Sequence, residues 1–234
     1  MTHIKRPLSL TAVAMAASLG LAACSQGAVT TDTPPEEMTF EQVLEDAEGG
    51  NAVAQYNLGQ MYVEGDKVAA DPGEAIKWYR MAAEQGFLEA QYNLAYSYGN
   101  GIGVEADPVE AHRWYLAAAE QGDPSAQHNL GNIYINGLGV EADPEQAAQW
   151  FTQAANQGHN NAQFNLGVLT ARGGGVAQDF VQSYKWFALA GAGAQDEQIR
   201  QQAAAFMQEL SQQMSEAQVA EAQELAQSWA PAES

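Results

Sequence analysis

The sequence predicts an all-α protein built as an array of stacked, antiparallel helix pairs. The run Ala-Gln-X-Asn-Leu occurs four times at a constant spacing of 36 residues, beginning at Ala54, Ala90, Ala126 and Ala162. A tryptophan follows each copy at a constant distance, at Trp78, Trp114, Trp150 and Trp186. A fixed long period indicates a repeat array, in which each unit buries its apolar face against its neighbours. Arrays of this kind expose an extended surface to partners.

The first helix of each unit is predicted from a stripe of apolar residues. In the first copy, Ala54, Leu58 and Tyr62 recur every four residues and therefore share one face of a helix that ends at Gly65. Gly59 returns in later copies as Ala95, Gly131 and Gly167. A small residue at this position allows the second helix to approach closely.

A glycine-rich loop leads to the second helix, which has a strong start signal. An aspartate closes each loop, a proline follows it in three copies, and Glu or Gln lies three residues after it; the aspartates are Asp71, Asp107, Asp143 and Asp179. This order predicts an Asp N-cap, a Pro at the first helical position and a capping box. Calcium binding is the alternative role, but these loops lack the alternating acidic residues of a calcium loop.

The second helix carries aromatic pairs at a position that repeats with the array: Trp78-Tyr79, Trp114-Tyr115, Trp150-Phe151 and Trp186-Phe187. In the first copy they share a helical stripe with Ala75 and Ala82, and the helix is expected to end at Gly86 in a left-handed cap. The pairs are therefore predicted to lie in the core between helices. Stacking on sugars is the alternative role, and it requires exposed tryptophan faces.

These motifs together resemble a known repeat family. Leu58-Gly59-X-X-Tyr62 followed by Ala75-X-X-X-Tyr79 resembles the tetratricopeptide repeat, whose period is about 34 residues. The longer period, the Gly-X-Gly-Val loop, the Asp-Pro cap and the Trp-Tyr-X-X-Ala-Ala-Glu-Gln-Gly ending are similar to the Sel-1-like repeat. The resemblance implies a right-handed α-solenoid over four repeats, at 51–86, 87–122, 123–158 and 159–192. The fourth copy departs most, since Phe180 replaces the proline.

Segments on both sides of the repeats are expected to cap the array, because terminal units need a polar outer face. Residues 39–50 match a degenerate second helix, with Gly50 in phase with Gly86. Residues 193–234 form the predicted C-terminal cap. It comprises one helix over 196–213 and another that begins at Ser215 with a capping box and runs to about Trp229.

The N-terminus has the pattern of an export signal. Residues 1–23 combine a basic start with a short apolar stretch that ends in small residues. Leu21-Ala22-Ala23-Cys24 resembles the lipobox of bacterial lipoproteins, which implies that Cys24 is lipidated after cleavage. A plain cleaved signal and an uncleaved anchor are the alternatives. Ser25, rather than Asp, follows the cysteine, which by resemblance implies the outer membrane, facing the periplasm. Residues 24–38 read as a flexible tether.

Charge and composition restrict the function classes. The chain has 29 Asp and Glu against nine Lys and Arg, a net charge of −20. Such a surface repels nucleic acid and anionic headgroups, so neither is an expected partner. No catalytic set, metal site or cofactor motif emerges from the sequence. Sel-1-like relatives described as β-lactamase-like carry paired cysteines in each repeat, which this chain lacks.

An asparagine recurs inside the first helix of every copy, at Asn57, Asn93, Asn129 and Asn165. Asparagine is a mediocre helix former, so a compensating interaction is expected. We predict a buried side-chain hydrogen bond to the adjoining backbone. A ladder that binds a ligand is the alternative.

Binding specificity is expected where the copies differ. By resemblance to tetratricopeptide arrays, the face of the first helices opposite the Leu58 stripe lines a concave groove. An aromatic track there, predicted to bind a peptide or a glycan, consists of Tyr56, Tyr92, Tyr96, His128 and Phe164. Packing between neighbouring repeats is the alternative role for these rings.

Two functional hypotheses follow from these observations. The first is a non-enzymatic scaffold, tethered to the bacterial cell envelope through its lipid, that docks a protein or peptide partner. The second is a module that binds the cell wall or acts weakly on it, an idea that rests on the aromatic track and the location.

Overall fold

The computed structural model describes residues 38–231, and the regular secondary structure in this range is helical. The helices are α1 (Phe40–Glu48), α2 (Ala52–Glu64), α3 (Pro72–Glu84), α4 (Leu88–Asn100), α5 (Pro108–Glu120), α6 (Pro124–Asn136), α7 (Pro144–Asn156), α8 (Asn160–Arg172), α9 (Phe180–Gly193), α10 (Glu197–Ser211) and α11 (Glu216–Gln227). The predicted α-solenoid is confirmed. The signal peptide, Cys24 and the tether up to residue 37 lie outside the described residues.

The four repeats are the helix pairs α2/α3, α4/α5, α6/α7 and α8/α9. From α1 to α10, each helix packs against the next one along the chain. The second helix of a repeat thereby also contacts the first helix of the following repeat. Helix α1 precedes the array and packs on α2, while α10 and α11 both pack against α9. Met38, just before the predicted N-terminal cap, is buried with Val43 and Ala47 of α1.

The predicted start of the second helices is confirmed in its main part. The Asp71 carboxylate accepts hydrogen bonds from the backbone N–H groups of Gly73 (2.9 Å) and Glu74 (3.1 Å). Asp107, Asp143 and Asp179 cap α5, α7 and α9 in the same way, the last without a proline. This capping explains the recurring aspartates without a bound cation.

The reciprocal half of the capping box is replaced by a different bond. The backbone N–H of each capping aspartate donates to a carbonyl in the last turns of the preceding helix, as from Asp71 to Tyr62 (2.9 Å) and from Asp143 to Tyr134 (2.8 Å). Glu74 instead pairs with Lys77 at 2.5 Å. The predicted capping box was wrong in this detail. A sequence pattern does not show that the preceding helix supplies the acceptor for the backbone N–H of the aspartate.

One loop glycine in each of the last three repeats is required by contact with the preceding repeat. Gly103 has a φ of 70°, and a Cβ there would overlap the carbonyl of Pro72. Gly139 and Gly175 lie in the same way against Pro108 and Pro144. The loop of one repeat therefore packs on the start of the second helix in the repeat before it.

The aromatic pairs of the second helices lie in the core, as predicted. Trp114 and Trp186 are buried, and Trp78 and Trp150 are half-buried against the apolar clusters. Arg113 lies over the Trp114 ring at 4.3 Å and Lys185 over the Trp186 ring at 4.1 Å. These two tryptophans therefore have no open face for stacking on a sugar.

A ladder of buried glutamines connects consecutive repeats. Gln127 of α6 donates from Nε2 to the Ala119 carbonyl at the end of α5 (3.2 Å), and its Oε1 accepts from Gln157 at the end of α7 (2.8 Å). Gln157 also donates to the Gly122 carbonyl (3.0 Å). The same bonds recur from Gln55, Gln91 and Gln163 to the carbonyls of Ala47, Ala83 and Ala155.

The ladder stops at the fourth repeat. Gln163 is 1% exposed and donates to Ala155, but its Oε1 has no hydrogen-bond partner. Gln85, Gln121 and Gln157 supply the partner in earlier repeats, and the residue in the same phase is Gly193. The missing bond thus follows from a single residue at the end of the array.

We predict that Gln127→Met destabilises the protein by about 1–3 kcal/mol, because the Ala119 carbonyl and the Gln157 carboxamide each lose one hydrogen bond while the side chain keeps nearly the same size. Gln163→Met is the matched control, with an expected cost of about 1 kcal/mol, because it also removes an oxygen that is already unpaired. Urea denaturation of both variants measures the difference. Equal losses would contradict the role of the ladder.

The flanking helices begin and end with the same kinds of signal as the helices of the repeats. Gly50 has a φ of 92°, close to the 86° of Gly86, so α1 ends as a second helix does. Asp196 caps α10, and Ser215 starts α11 with both bonds of a capping box. Within residues 38–231, none of the helices has the length and hydropathy needed to cross a membrane.

Candidate partner-binding surface

The candidate surface is the side of α2, α4, α6 and α8 that carries the predicted aromatic track, here called the first-helix face. Tyr96 is exposed, at 48% of its surface. The other four predicted residues (Tyr56, Tyr92, His128 and Phe164) are half-buried. The structure therefore distinguishes one open aromatic side chain from four that have contacts in the fold.

The four half-buried rings occupy one position of the repeat and pack in related ways. Tyr56 contacts the ring of Tyr79 in its own repeat (5.8 Å between centroids) and that of Phe87 in the next (5.1 Å). His128 contacts Phe151 (5.8 Å) and stacks on His159 of the next repeat at 4.8 Å. Packing between repeats, the alternative raised from the sequence, describes these contacts.

The last ring of this set is covered by the C-terminal cap. Phe164 contacts Phe187 at 5.3 Å and Phe206 of α10 at 5.8 Å. Phe206 in turn stacks on Phe187 at 4.8 Å, with an interplanar angle of 5°. The cap thus supplies the contacts that another repeat would otherwise make.

The recurring asparagines do not make the predicted bond to the backbone. Asn129 is half-buried and donates to the Tyr92 hydroxyl (3.4 Å), and Asn165 lies 3.3 Å from His128 Nε2. Their partners are side chains of the preceding repeat. The prediction was wrong because the buried bond to the backbone is made by the glutamine two residues earlier in the same motif. The strict recurrence of this glutamine was the signal in the sequence that could have identified the bond.

A cleft of about 250 Å³ lies on the first-helix face near the C-terminal end of the array. Its lining consists of His128, Asn161, Phe164, Asn165 and Ile199. Two of these residues belong to the predicted aromatic track. Ile199 comes from α10, outside the repeat phase, and the repeat pattern gave no signal for it.

The imidazole of His128 is neutral at pH 7. Burial lowers its pKa to about 4, and neighbouring His159 adds to this effect. The carboxamide nitrogens of Asn132 and Asn165 each lie 3.3 Å from Nε2. Because such nitrogens only donate, Nε2 accepts and the proton resides on Nδ1. His128 therefore contributes hydrogen-bonding groups but no charge to this end of the face.

His159 completes this polar junction between the third and fourth repeats. Its Nδ1 accepts the backbone N–H of Ala162 at 3.2 Å and so caps α8. Burial lowers the pKa of His159, with the Asp123 carboxylate acting in the opposite direction. Among residues 38–231, no group of three or more His, Cys, Asp or Glu side chains is placed to hold a metal ion.

In these helix pairs the side chains that pack recur from copy to copy, while the exposed side chains vary. This combination defines a helical repeat protein. The chain belongs to the Sel1 repeat family: the family model described as Sel1 repeat matches residues 52–87, 88–123, 124–159 and 160–193. Sel1 repeats are generally modules that bind protein partners.

Solved structures support the same assignment. A Sel1 repeat protein from Oxalobacter formigenes is 30% identical, with a TM-score of 0.64 over 75% of this chain and 78% of that one. The protective antigen c5321 of uropathogenic Escherichia coli strains, described as having an SLR fold, is 31% identical with a TM-score of 0.51. That match covers 81% of this chain, which spans 48% of the antigen. None of the curated proteins matches this chain significantly.

We predict that His128 makes the fold sensitive to acid. Its pKa is about 4 in the folded state against an ordinary 6.5, so the folded state resists protonation. The contribution of neutral His128 to the free energy of unfolding is fully present above pH 6.5. It falls by up to about 3 kcal/mol as the pH decreases to 4.

The matched variant for this prediction is His128→Phe, since Phe164 occupies the same repeat position in the next copy. The variant should lose less stability than the natural protein between pH 6.5 and 4, as measured by urea denaturation at several pH values. Parallel losses in the two proteins would show that other groups cause the acid sensitivity.

Proposed function

We propose that this protein is a non-enzymatic scaffold, tethered to a bacterial envelope membrane through a lipid on Cys24, that docks a segment of a partner protein on its first-helix face. The observation that carries the proposal is the division of residues within the repeats. Caps, glutamines and core residues recur, whereas the exposed positions of the first helices differ between copies. Tyr96, for example, is replaced by Gln60, Asn132 and Val168 in the other repeats.

The proposed tether and location are supported by the sequence of the N-terminus. Residues 1–23 read as a signal, the lipobox-like run ends at Cys24, and the repeats begin well after it. The outer membrane is the proposed destination because Ser25, rather than Asp, follows the cysteine.

The docking surface is tested by photo-cross-linking in living cells. Replacing Tyr96 with p-benzoylphenylalanine should give a discrete protein adduct, because this side chain is exposed on the first-helix face. Val109 on α5, with 59% of its surface exposed, provides the matched control position, where no adduct is expected. Adducts at 96 that muramidase returns to nearly the size of the uncross-linked protein would instead favour binding to the cell wall. Equal adducts at both positions would exclude a specific surface.

The tether is tested by metabolic labelling with an alkyne analogue of palmitate. The natural chain should carry the label, and Cys24→Ser should lose it, because the thiol is the predicted site of acylation. Ser25→Ala serves as the matched control and should keep the label, since it leaves the thiol in place. Label that persists on Cys24→Ser would contradict lipidation at this residue.

A further inference from the structure

The first-helix face carries mainly negative charge. Glu64 ends α2, Glu89 lies in the first turn of α4, and Asp123 caps α6. The single basic residue of these four helices is Arg172, in the last turn of α8. The second helices carry four cations (Lys77, Arg80, Arg113 and Lys185) together with five glutamates.

The cations of the second helices interact locally. Lys77 pairs with Glu74 at 2.5 Å and Arg113 with Glu110 at 3.4 Å, both within one helix turn. Arg80 donates to the Tyr98 hydroxyl, and Lys185 lies over the Trp186 ring. Each of these four cations is thus engaged by a neighbouring side chain.

The carboxylates of the first-helix face influence the same group of side chains. Burial raises the pKa of Tyr56, and the carboxylates of Glu89 and Glu64 raise it further. Burial also raises the pKa of Asp123, to which Glu89 contributes. The first helices of the first three repeats therefore carry carboxylates and neither Lys nor Arg, so this face attracts a positively charged partner and repels a negatively charged one.

The cleft near the fourth repeat offers a different environment on the same face. Its volume of about 250 Å³ lies below the roughly 300–1,000 Å³ that is usual for small-molecule sites. Phe164 and Ile199 provide apolar walls, and the carboxamides of Asn161 and Asn165 provide donors and acceptors. This combination suits one apolar side chain together with the peptide groups beside it.

We propose that the partner segment is basic and extended, with one apolar side chain in the cleft and Lys or Arg residues near Glu89 and Glu64. This inference rests on the proposed docking function and adds the chemistry of the partner. Helices pack about 8–10 Å apart, so Glu89 lies roughly 10–20 Å from the cleft. An extended chain covers that distance in about three to six residues.

The test is selection from a random dodecapeptide display library on the full-length protein in mild detergent at low salt. Enriched peptides should have a positive net charge and an apolar residue three to six positions from a Lys or Arg. A synthetic copy of the most enriched peptide then serves as the probe in fluorescence anisotropy. Raising the salt should weaken its binding, because exposed charges are screened.

Variants distinguish the two parts of the proposed site. The double variant Glu64→Gln, Glu89→Gln should weaken binding of the probe about three- to ten-fold, since each exposed charge contributes modestly. Glu145→Gln on α7, an exposed acid of a second helix, is the matched control and should change binding less than two-fold. Ile199→Ala should weaken binding of the probe. The same variant should have a smaller effect on a control peptide in which serine replaces the apolar residue of the probe.

Failure of this inference is distinguishable from failure of the docking function. Enrichment of neutral or acidic peptides that bind equally well to the double variant, but lose binding on Tyr96→Ala, would overturn the basic partner and keep the docking surface. Selected peptides whose binding is unchanged by Tyr96→Ala, by Ile199→Ala and by the double variant would overturn both.

Discussion

The connection between one repeat and the next depends on a buried carboxamide. Gln127 joins the end of α5 to the end of α7 through one donated and one accepted hydrogen bond. A buried amide that loses its partners is costly, so sliding or rotation of one repeat against another is opposed in a directional way that apolar packing alone does not provide. The capping aspartates and the loop glycines complete this register. Every position on the outer face is consequently placed by its phase in the repeat.

This register explains why two neighbouring positions of the first helix differ in their freedom to vary. The position of Tyr56 and His128 is aromatic in all four copies, because its ring packs on the second helix. The position four residues later is Gln60, Tyr96, Asn132 or Val168, with no shared size or polarity. Packing restricts the first position, while the second is available for recognition.

Much of the fold could be predicted from the sequence because its signals are local. The caps, the helix ends and the aromatic core follow from residues within a few positions of one another. The prediction that the recurring asparagine bonds to the backbone was wrong. Gln127 and Asn129 recur equally, and the period alone does not show which side chain turns inward. The ladder did leave a signal, since the glutamines at 85, 121 and 157 keep the same period and end at Gly193. The contribution of Ile199 to the cleft could not be predicted, because α10 is outside the repeat phase and its placement depends on tertiary packing.

The end of the array is also where the site acquires its distinct chemistry. A further repeat would place its own first helix beside α8, and the ring of Phe164 would then contact an N-cap residue as His128 does. Instead α10 lies there, bringing Phe206 against Phe164 and Ile199 into the cleft. The C-terminal cap therefore closes the apolar core and at the same time forms one wall of the candidate site. Because His128 is kept neutral by burial, this wall faces a neutral imidazole, while Glu64 and Glu89 lie on the first two repeats. A partner segment on this face would meet apolar contact at one end and negative charge at the other, which gives the surface a direction as well as a charge preference.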